Sequence, residues 1–228
     1  MKKFFAALLL SGLLAAPAFA QEDLPPKAAA LKEKAAKGDG ASAYELAVCY
    51  HFGKECPQSD ADAAKWLEVA ANKGDADAIV NLGDFYHQGL GVKQDDLIAL
   101  QWYRAAAGHG SAEGEFNIGR VYAEGYGVKP DLTQAKAWYL RAANQGLAEA
   151  QMELGRVFMQ ENDFLNAYYW YGVAAKTNDA KAVAFRDRIG TTLSADQVAA
   201  QQKKIAAFHA ASEASGWDQR RAGDAGLK

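Results

Sequence analysis

Proline, cysteine and excess positive charge are all scarce in this chain of 228 residues. It contains five prolines and two cysteines, and its formal net charge at pH 7 is −3. So little proline argues against a collagen-like or Pro-rich linker sequence. A slightly acidic chain also lacks the basic footprint of a nucleic-acid-binding protein, so we expect no nucleic-acid partner.

Long hydrophobic runs are missing beyond the first twenty residues. The chain begins with a positive Met1–Lys3, an apolar run over 4–16 and the triplet Ala18-Phe19-Ala20, a pattern typical of a secretory signal peptide. The apolar run, about 13 residues, is shorter than the roughly 20 that span a bilayer. The residue directly after the predicted cleavage point is Gln21 and not a cysteine, which argues against a lipid anchor. We therefore expect cleavage before Gln21, no later transmembrane segment, and a protein that is periplasmic or secreted.

Small residues are what the chain has in excess, with 49 alanines and 21 glycines. Alanine favours closely packed helices, whereas a glycine inside a helix costs about 1 kcal/mol relative to alanine. The glycines are therefore expected in loops, or at helix positions where another backbone comes close.

A period of 36 residues organises most of the chain: Trp66, Trp102 and Trp138 keep this step, and several glycine columns keep it too. Each repeat is predicted to form two antiparallel helices, because apolar residues recur at helical spacing on both sides of a glycine-rich break. Such pairs bury their apolar faces only by stacking, so the predicted fold class is an all-α solenoid of stacked helix pairs. We place four repeats, the last with a loop four residues shorter, at 39–74, 75–110, 111–146 and 147–178.

The segments that flank the repeats are expected to cap the array. Ser194 and Gln197 have the spacing of a capping box at the start of the last helix. The C-terminal segment, which contains Trp217, is rich in glycine and charge and is expected to be disordered. The capping helices are predicted at 28–37, 180–189 and 194–209. The predicted organisation is a signal peptide at 1–20, a linker with a capping helix at 21–38 and the repeats at 39–178. Two capping helices at 179–212 and a tail at 213–228 complete the chain.

The repeat motif resembles that of the Sel-1-like repeat family, relatives of the tetratricopeptide repeats. The second repeat contains Leu82-Gly83-x-x-Tyr86-x-x-Gly89-x-Gly91-Val92, followed by Ala99-x-x-Trp102-Tyr103-x-x-Ala106-Ala107-x-x-Gly110. The third repeat has the same pattern over 118–146, whereas the first departs at Ala47 and Cys56 and the fourth lacks the G-x-G-V loop. The resemblance covers about residues 28–208. It implies a right-handed α-solenoid that serves as a scaffold or adaptor for other proteins, although a fold does not determine a function.

Two sets of repeat columns predict how the helices pack. Gly83 and its equivalents, Gly119 and Gly155, lie inside the first helices and are expected to face the alanine pairs of the second helices, so that two helices approach closely. The tryptophans, including Trp170, are interpreted as buried packing wedges. Trp102→Ala is accordingly expected to cost about 3–5 kcal/mol.

The two cysteines, Cys49 and Cys56, occupy columns that hold apolar pairs in the next two repeats. Recurrent apolar residues at both positions suggest that the two columns touch. An even cysteine count in an exported chain then favours a disulfide between them. A metal site or a redox motif is less compatible with C-x₆-C spacing.

Motifs for catalysis and cofactors are weak in this sequence. His51 and His87 share a column near the end of the first helix, where the helix dipole favours histidine, but no carboxylate or cysteine recurs at metal-ligand spacing. No serine has a lysine three residues later, and Lys176-Thr177 lacks a following glycine. We therefore expect no catalytic residues, no metal and no cofactor.

A polar stripe at spacing 4, 3, 4 runs along the first helix of each later repeat. In tetratricopeptide-like arrays the first helices line the concave face, so this stripe is the candidate partner surface, with a merely solvated face as the alternative. The first repeat interrupts the stripe with apolar residues, which raises the prospect of binding if they are exposed. The candidate partner-binding residues are Glu45, Val48, Phe52, Asn81, Asp84, Gln88, Asn117, Arg120, Glu124, Glu153 and Arg156.

The function predicted from these features is that of an exported, non-enzymatic adaptor that binds a protein or peptide. The alternatives are a cell-envelope enzyme, or an enzyme inhibitor, acting on peptidoglycan or related to β-lactams, and a purely structural envelope component. The resemblance suggests the envelope alternative, since some exported relatives are linked with penicillin binding or hydrolysis. The missing nucleophile motifs count against the enzymatic form.

Overall fold

The computed structural model describes residues 24–208, which fall into two compact units. Unit 1 comprises the described residues up to Asp75, and unit 2 begins at Ala76. The predicted signal peptide, the C-terminal segment with Trp217 and the end of the last predicted capping helix lie outside the described residues. Within the described part, no helix has the length and apolar character needed to cross a membrane.

Residues 24–208 form eleven α-helices and no strand. Unit 1 contains α1 (Pro26–Ala36), α2 (Gly40–Phe52) and α3 (Asp60–Asn72). Unit 2 contains α4 (Ala76–Gln88), α5 (Asp96–Gly108), α6 (Ala112–Glu124), α7 (Leu132–Asn144), α8 (Ala148–Gln160), α9 (Phe164–Ala174), α10 (Ala180–Gly190) and α11 (Ala195–Ala207), with a 3₁₀ turn (Ala175–Thr177) after α9.

The second helix of every repeat begins at a polar N-cap that recurs in one column. The side chains of Ser59, Asp95, Asp131 and Asp163 each accept a hydrogen bond from a backbone N–H in the first turn of α3, α5, α7 and α9. Such caps satisfy backbone donors that the helix itself leaves unpaired. The backbone N–H of each cap residue also donates to a carbonyl near the end of the preceding helix, as from Asp95 to Tyr86 at 2.9 Å. One residue therefore starts the second helix and closes the hairpin.

The ends of the hairpins show that the two helices of a repeat are antiparallel. Glu115, in the first turn of α6, is buried and pairs with Arg141, in the last turn of α7, at 2.7 Å. Gln145, just after α7, donates to the same carboxylate at 2.8 Å. Helices adjacent in sequence pack together throughout unit 2 from α4 to α10, and α1, α2 and α3 do so in unit 1. The predicted all-α fold of stacked helix pairs is confirmed.

The connections within the hairpins follow the glycine columns. Gly53 and Gly125 end α2 and α6 in the left-handed conformation, with φ of 65° and 77°, which glycine adopts without steric cost. In the fourth repeat only residues 161–163 separate α8 from α9, and Asn162 takes the positive φ there. The shortening predicted from the period therefore lies in this loop. At the last helix, the predicted capping box between Ser194 and Gln197 is present.

The prediction that alanine pairs face the mid-helix glycines is wrong. A Cβ built at Gly119 would lie 2.5 Å from ring carbons of Tyr139, and one at Gly83 would lie 2.5 Å from Tyr103. Gly155 is equally close to a tyrosine, at 2.7 Å. The glycines therefore make room for a buried aromatic ring. The alanine pair of α5 instead lies against Gly114, near the start of α6.

The tryptophan column is less buried than its regular spacing suggests. Trp66 and Trp170 are buried, at 1% and 5% exposure, whereas Trp102 and Trp138 are only half-buried. The ring of Trp138 is partly covered by the guanidinium of Arg141, 4.5 Å from its centre. The wedge interpretation therefore holds for Trp66 and Trp170, whereas the half-burial of Trp102 leads us to expect a cost for Trp102→Ala below the roughly 3–5 kcal/mol that applies to a buried tryptophan. The aromatic column that is fully buried lies one residue after the tryptophan column and includes Tyr139.

Candidate functional site

The polar stripe predicted from the sequence is partly buried in unit 2. Asn117 is buried at 8% exposure. The stripe residues that are half-buried are Asn81, Asp84, Arg120, Glu153 and Arg156, and those that are exposed are Gln88 and Glu124. We call these eight residues the first-helix stripe. Partial burial means that most of its side chains are positioned by protein contacts as well as by water.

The first anchored group of the stripe is Asp84 on α4. The hydroxyl of Tyr103, on α5, donates to its carboxylate at 2.7 Å. Burial raises the pKa of Asp84, and this outweighs the opposing effects of the Tyr103 hydrogen bond and the positive charge of Arg120. Burial and the negative charge of Asp84 raise the pKa of Tyr103, so its hydroxyl stays protonated and remains the donor. The same tyrosine that packs on Gly83 therefore orients a stripe carboxylate.

Charges of alternating sign continue the stripe onto α6 and α8. Arg156 donates through Nε to Glu153 at 2.7 Å. Burial disfavours the charged guanidinium, but the hydrogen bond and charge of Glu153 prevail, and the pKa of Arg156 is raised. The phenol of Tyr139 lies beneath these groups: burial and then the charge of Glu153 raise its pKa, while Arg156 and Arg120 act in the opposite direction. The stripe is thus one connected electrostatic surface on unit 2.

An open groove of about 520 Å³ lies at the C-terminal end of this stripe, between α8, α9 and α10. Its lining includes the stripe residues Glu153 and Arg156. The other lining residues are Met152, Met159, Phe164, Tyr171, Phe185, Arg188, Ile189 and Thr192. We call the cavity formed by all ten residues the α8–α10 groove. One surface thus combines the stripe with a mainly apolar cavity.

The contribution of α10 to this surface was not predicted from the sequence. Helix α10 begins at Ala180, 32 residues after α8 begins at Ala148, and this is the same shortened step that separates Trp170 from Trp138. At that step Phe185 corresponds to Glu153 and Arg188 to Arg156. Extending the 4, 3, 4 spacing across the deletion identifies both residues. The lost loop concealed the correspondence because the 36-residue period no longer applied.

In unit 1 the candidate residues form an exposed apolar patch instead. Phe52 is 60% exposed and Val48 is 37% exposed, while Glu45 is exposed as well. The disulfide predicted between Cys49 and Cys56 is present beside this patch, with both cysteines buried and their Cα atoms 5.6 Å apart. It ties the end of α2 to the loop before α3.

The histidine column has a structural role that the spacing did not predict. His51 Nδ1 lies 2.7 Å from Asp60 Oδ1, and His87 Nδ1 lies 2.6 Å from Asp96 Oδ1. Each aspartate is the first residue of the second helix, so each pair joins the two helices at the loop end of a hairpin. Among residues 24–208, no three His, Cys, Asp or Glu side chains come together as a set of metal ligands.

Comparison with known proteins agrees with this architecture. Four consecutive segments of the chain match the family model described as Sel1 repeat, at residues 40–75, 76–111, 112–147 and 148–185. Among solved structures, the chain is similar to a protective antigen present in uropathogenic Escherichia coli strains that displays an SLR fold, with 30% identity and a TM-score of 0.72. That match covers 85% of this chain and 43% of the antigen, so the chain spans less than half of the antigen's length.

The chain is also similar to a Sel1 repeat protein from Oxalobacter formigenes, with 28% identity and a TM-score of 0.66. This match covers 81% of the chain and 80% of that protein. No curated protein matches the chain.

Proposed function

Since the chain belongs to the Sel1 repeat family, whose members generally mediate protein–protein interaction, we propose that it is an exported, non-enzymatic adaptor. It holds a protein or peptide partner along the first-helix stripe of unit 2. The observation that carries this proposal is the hydrogen bond from Tyr103 to Asp84, because it anchors a stripe side chain to the packed interior.

The physical support is pre-organisation of the surface. A side chain that is already oriented loses less conformational entropy when a partner binds. Asp84 and Arg156 are both held by neighbouring side chains, and Asn117 is buried. A merely solvated face gains nothing from such contacts, since exposed polar side chains are adequately satisfied by water.

Polar groups of both signs also suit an extended peptide. Asp84, Arg120 and Arg156 occupy the same column of successive first helices, one as an acceptor and two as donors. A bound segment therefore meets a charged group at the same position of each of these repeats. The exposed Phe52 and Val48 provide a separate apolar contact in unit 1, and exposed apolar patches rimmed by polar groups mark interaction sites.

The partner-binding proposal is tested by crosslinking in intact cells, followed by mass spectrometry of the proteins captured. The variant combines Asn81→Ala, Asn117→Ala and Arg120→Ala, and we expect it to lose the crosslinked partner. Circular dichroism and thermal unfolding check that it remains folded. An unchanged set of crosslinked partners would contradict the stripe as the binding surface.

A matched control removes two amides and one cation at exposed positions away from the stripe. It combines Gln101→Ala, Lys129→Ala and Gln134→Ala. We expect this control to capture the same partners as the wild type.

Export is tested separately, by fractionation of cells that produce the full chain. The signal-peptide pattern over 1–20 supports the proposal, and a mature protein with Gln21 at its N-terminus outside the cytoplasm is the expected result. An uncleaved chain found only in the cytoplasm would refute export without affecting the adaptor proposal.

A further inference from the structure

We propose that the α8–α10 groove binds a peptide segment of the partner in which a large apolar side chain is followed by a carboxylate. This inference rests on the adaptor function proposed above and adds the chemistry of the partner. The apolar side chain occupies the cavity between α8, α9 and α10, and the carboxylate pairs with Arg188.

The walls of the groove are apolar and open to solvent. Phe164 is 39% exposed and Phe185 is 43% exposed, and Phe185 stacks on Tyr171 with ring centres 5.0 Å apart. Met152 and Met159 complete the apolar lining, and flexible methionines adapt to differently shaped apolar groups. A volume of about 520 Å³ lies within the range of ligand-binding cavities. The stacked pair makes one wall rigid and the methionines make the other adaptable.

Comparison between repeats shows that this end of the hairpin changes along the array: the third repeat has Ala123 and Leu132 there, and the fourth has two large apolar side chains. In the first two repeats the corresponding positions hold the pairs His51–Asp60 and His87–Asp96, which close the hairpin by direct contact. In the fourth repeat the same positions, at the end of α8 and the start of α9, hold Met159 and Phe164. Both side chains line the groove. A polar contact that joins two helices has thus been replaced by apolar surface facing a cavity.

The charge at the rim selects an anionic group. Arg156 is already paired with Glu153 at 2.7 Å, whereas Arg188 is exposed and forms no ion pair with any residue in the described range 24–208. The lining therefore carries a net positive charge, although the chain as a whole is acidic. A guanidinium binds a carboxylate through two parallel hydrogen bonds, a geometry that an amide does not reproduce.

Continuity with the first-helix stripe favours a peptide as the occupant. Glu153 and Arg156 belong to both surfaces, so a segment that lies on the stripe at α8 is next to the groove. The cavity is open rather than enclosed, which suits one side chain of a longer chain. A fatty acid has the same combination of apolar and anionic groups, and it is a distinct outcome of the test below.

The experiment uses the full chain and fluorescein-labelled octapeptides that carry Phe, Leu, Met or Trp followed by Glu, with glycine and serine elsewhere. Matched peptides carry Gln in place of Glu, or Ala in place of the large side chain. Fluorescence anisotropy is expected to show binding about tenfold tighter with Glu than with Gln, as a charge-assisted hydrogen bond provides. Arg188→Gln should abolish the preference for Glu over Gln, and Phe185→Ala should weaken the binding of every peptide that carries a large apolar residue.

Two control variants change equivalent groups outside the groove. Lys129→Gln removes an exposed cation and Leu140→Ala removes an exposed apolar side chain, and both should bind the peptides as the wild type does. A preference for Glu that survives Arg188→Gln would overturn the inference. So would a lack of peptide binding, or binding of decanoate alone in a manner that depends on Phe185.

Crosslinking separates this inference from the adaptor proposal. If the double variant Phe185→Ala/Arg188→Gln retains the cellular partner while the stripe variant loses it, the groove inference fails and the adaptor proposal stands. If both variants retain the same crosslinks, the stripe proposal fails as well. Loss in both supports the two together.

Discussion

The contact between Gly119 and Tyr139 permits a quantitative test of how these hairpins pack. The substitution is Gly119→Ala, which adds one methyl group in the middle of α6. A Cβ at this position would lie 2.5 Å from both Cδ1 and Cε1 of Tyr139, a ring with 1% exposure. Because the ring is enclosed by the core between α7 and α8, it has no open space to move into.

Two opposing contributions determine the outcome. Replacing an interior glycine by alanine stabilises a helix by about 1 kcal/mol. Forcing a methyl group into a packed core typically costs about 1–3 kcal/mol, and a rigid buried ring at this distance places the cost at the upper end. We therefore expect a net destabilisation of about 1–2 kcal/mol, which lowers the Tm by about 2–8 °C for a chain of this size.

The matched control is Gly108→Ala, at the end of α5. Nothing lies within 4 Å of a Cβ built at Gly108, so only the helix propensity acts and the variant should be as stable as the wild type or more stable. Thermal unfolding followed by circular dichroism measures both. Equal stability of the two variants would refute the close-packing argument.

The first repeat suggests a rescue for the same variant. Where the later repeats pair glycine with tyrosine, the first has Ala47 and Leu67, both buried. The double variant Gly119→Ala/Tyr139→Leu recreates that pair. It should be more stable than the sum of the single changes predicts, with a coupling of about 1 kcal/mol or more in a double-mutant cycle.

Three further predictions concern the stripe, the disulfide and the tryptophan column. Asp84→Asn should raise the Tm at neutral pH, because burial raises the pKa of this carboxyl and so disfavours its charged form in the fold. In a pH series of melting curves, the gain in Tm should shrink as the pH falls through the raised pKa towards the ordinary aspartate value. Below that value the carboxyl is protonated in both the folded and the unfolded state. A gain in Tm that is the same at every pH would contradict a raised pKa for Asp84. Replacing Cys49 and Cys56 by alanine should destabilise unit 1 by about 2–3 kcal/mol through loop entropy, and denaturant unfolding that is identical with and without reductant would contradict this. Trp66→Ala should cost about 3–5 kcal/mol and Trp102→Ala about 2 kcal/mol, since only the first is fully buried; equal losses in chemical unfolding would reverse that ranking.

The polar stripe was predictable as a pattern but not as an organised surface. The 4, 3, 4 spacing places Asp84 and Arg120 on one helix face, since that is a property of helix geometry alone. The partner of Asp84 is Tyr103, nineteen residues away on the next helix. Which side chain on one helix reaches a given side chain on its neighbour depends on how the helices are offset and rotated, and the spacing along a single helix does not contain that information.

The mid-helix glycines show the same division. Their step of 36 residues predicted that part of a neighbouring helix packs closely against each glycine, and in the structure a tyrosine ring does so at all three. The alanine pairs were the wrong partners because a small residue on one helix does not require a small residue on its neighbour. A buried ring fits against a missing side chain equally well, as Tyr139 does against Gly119.

The repeat period, the helix pairs and the capping box of the last helix could be predicted from the sequence, because they depend on local backbone preferences and on spacing within a few turns. Ser194 and Gln197 illustrate this, since their capping box is formed by neighbours in the chain. The packing of the helices was needed to show that tyrosine rings fill the glycine columns and that the extended stripe, with Phe185 and Arg188, borders a groove. Those features arise where neighbouring helices pack against each other, and the space between two packed surfaces is specified by both of them together.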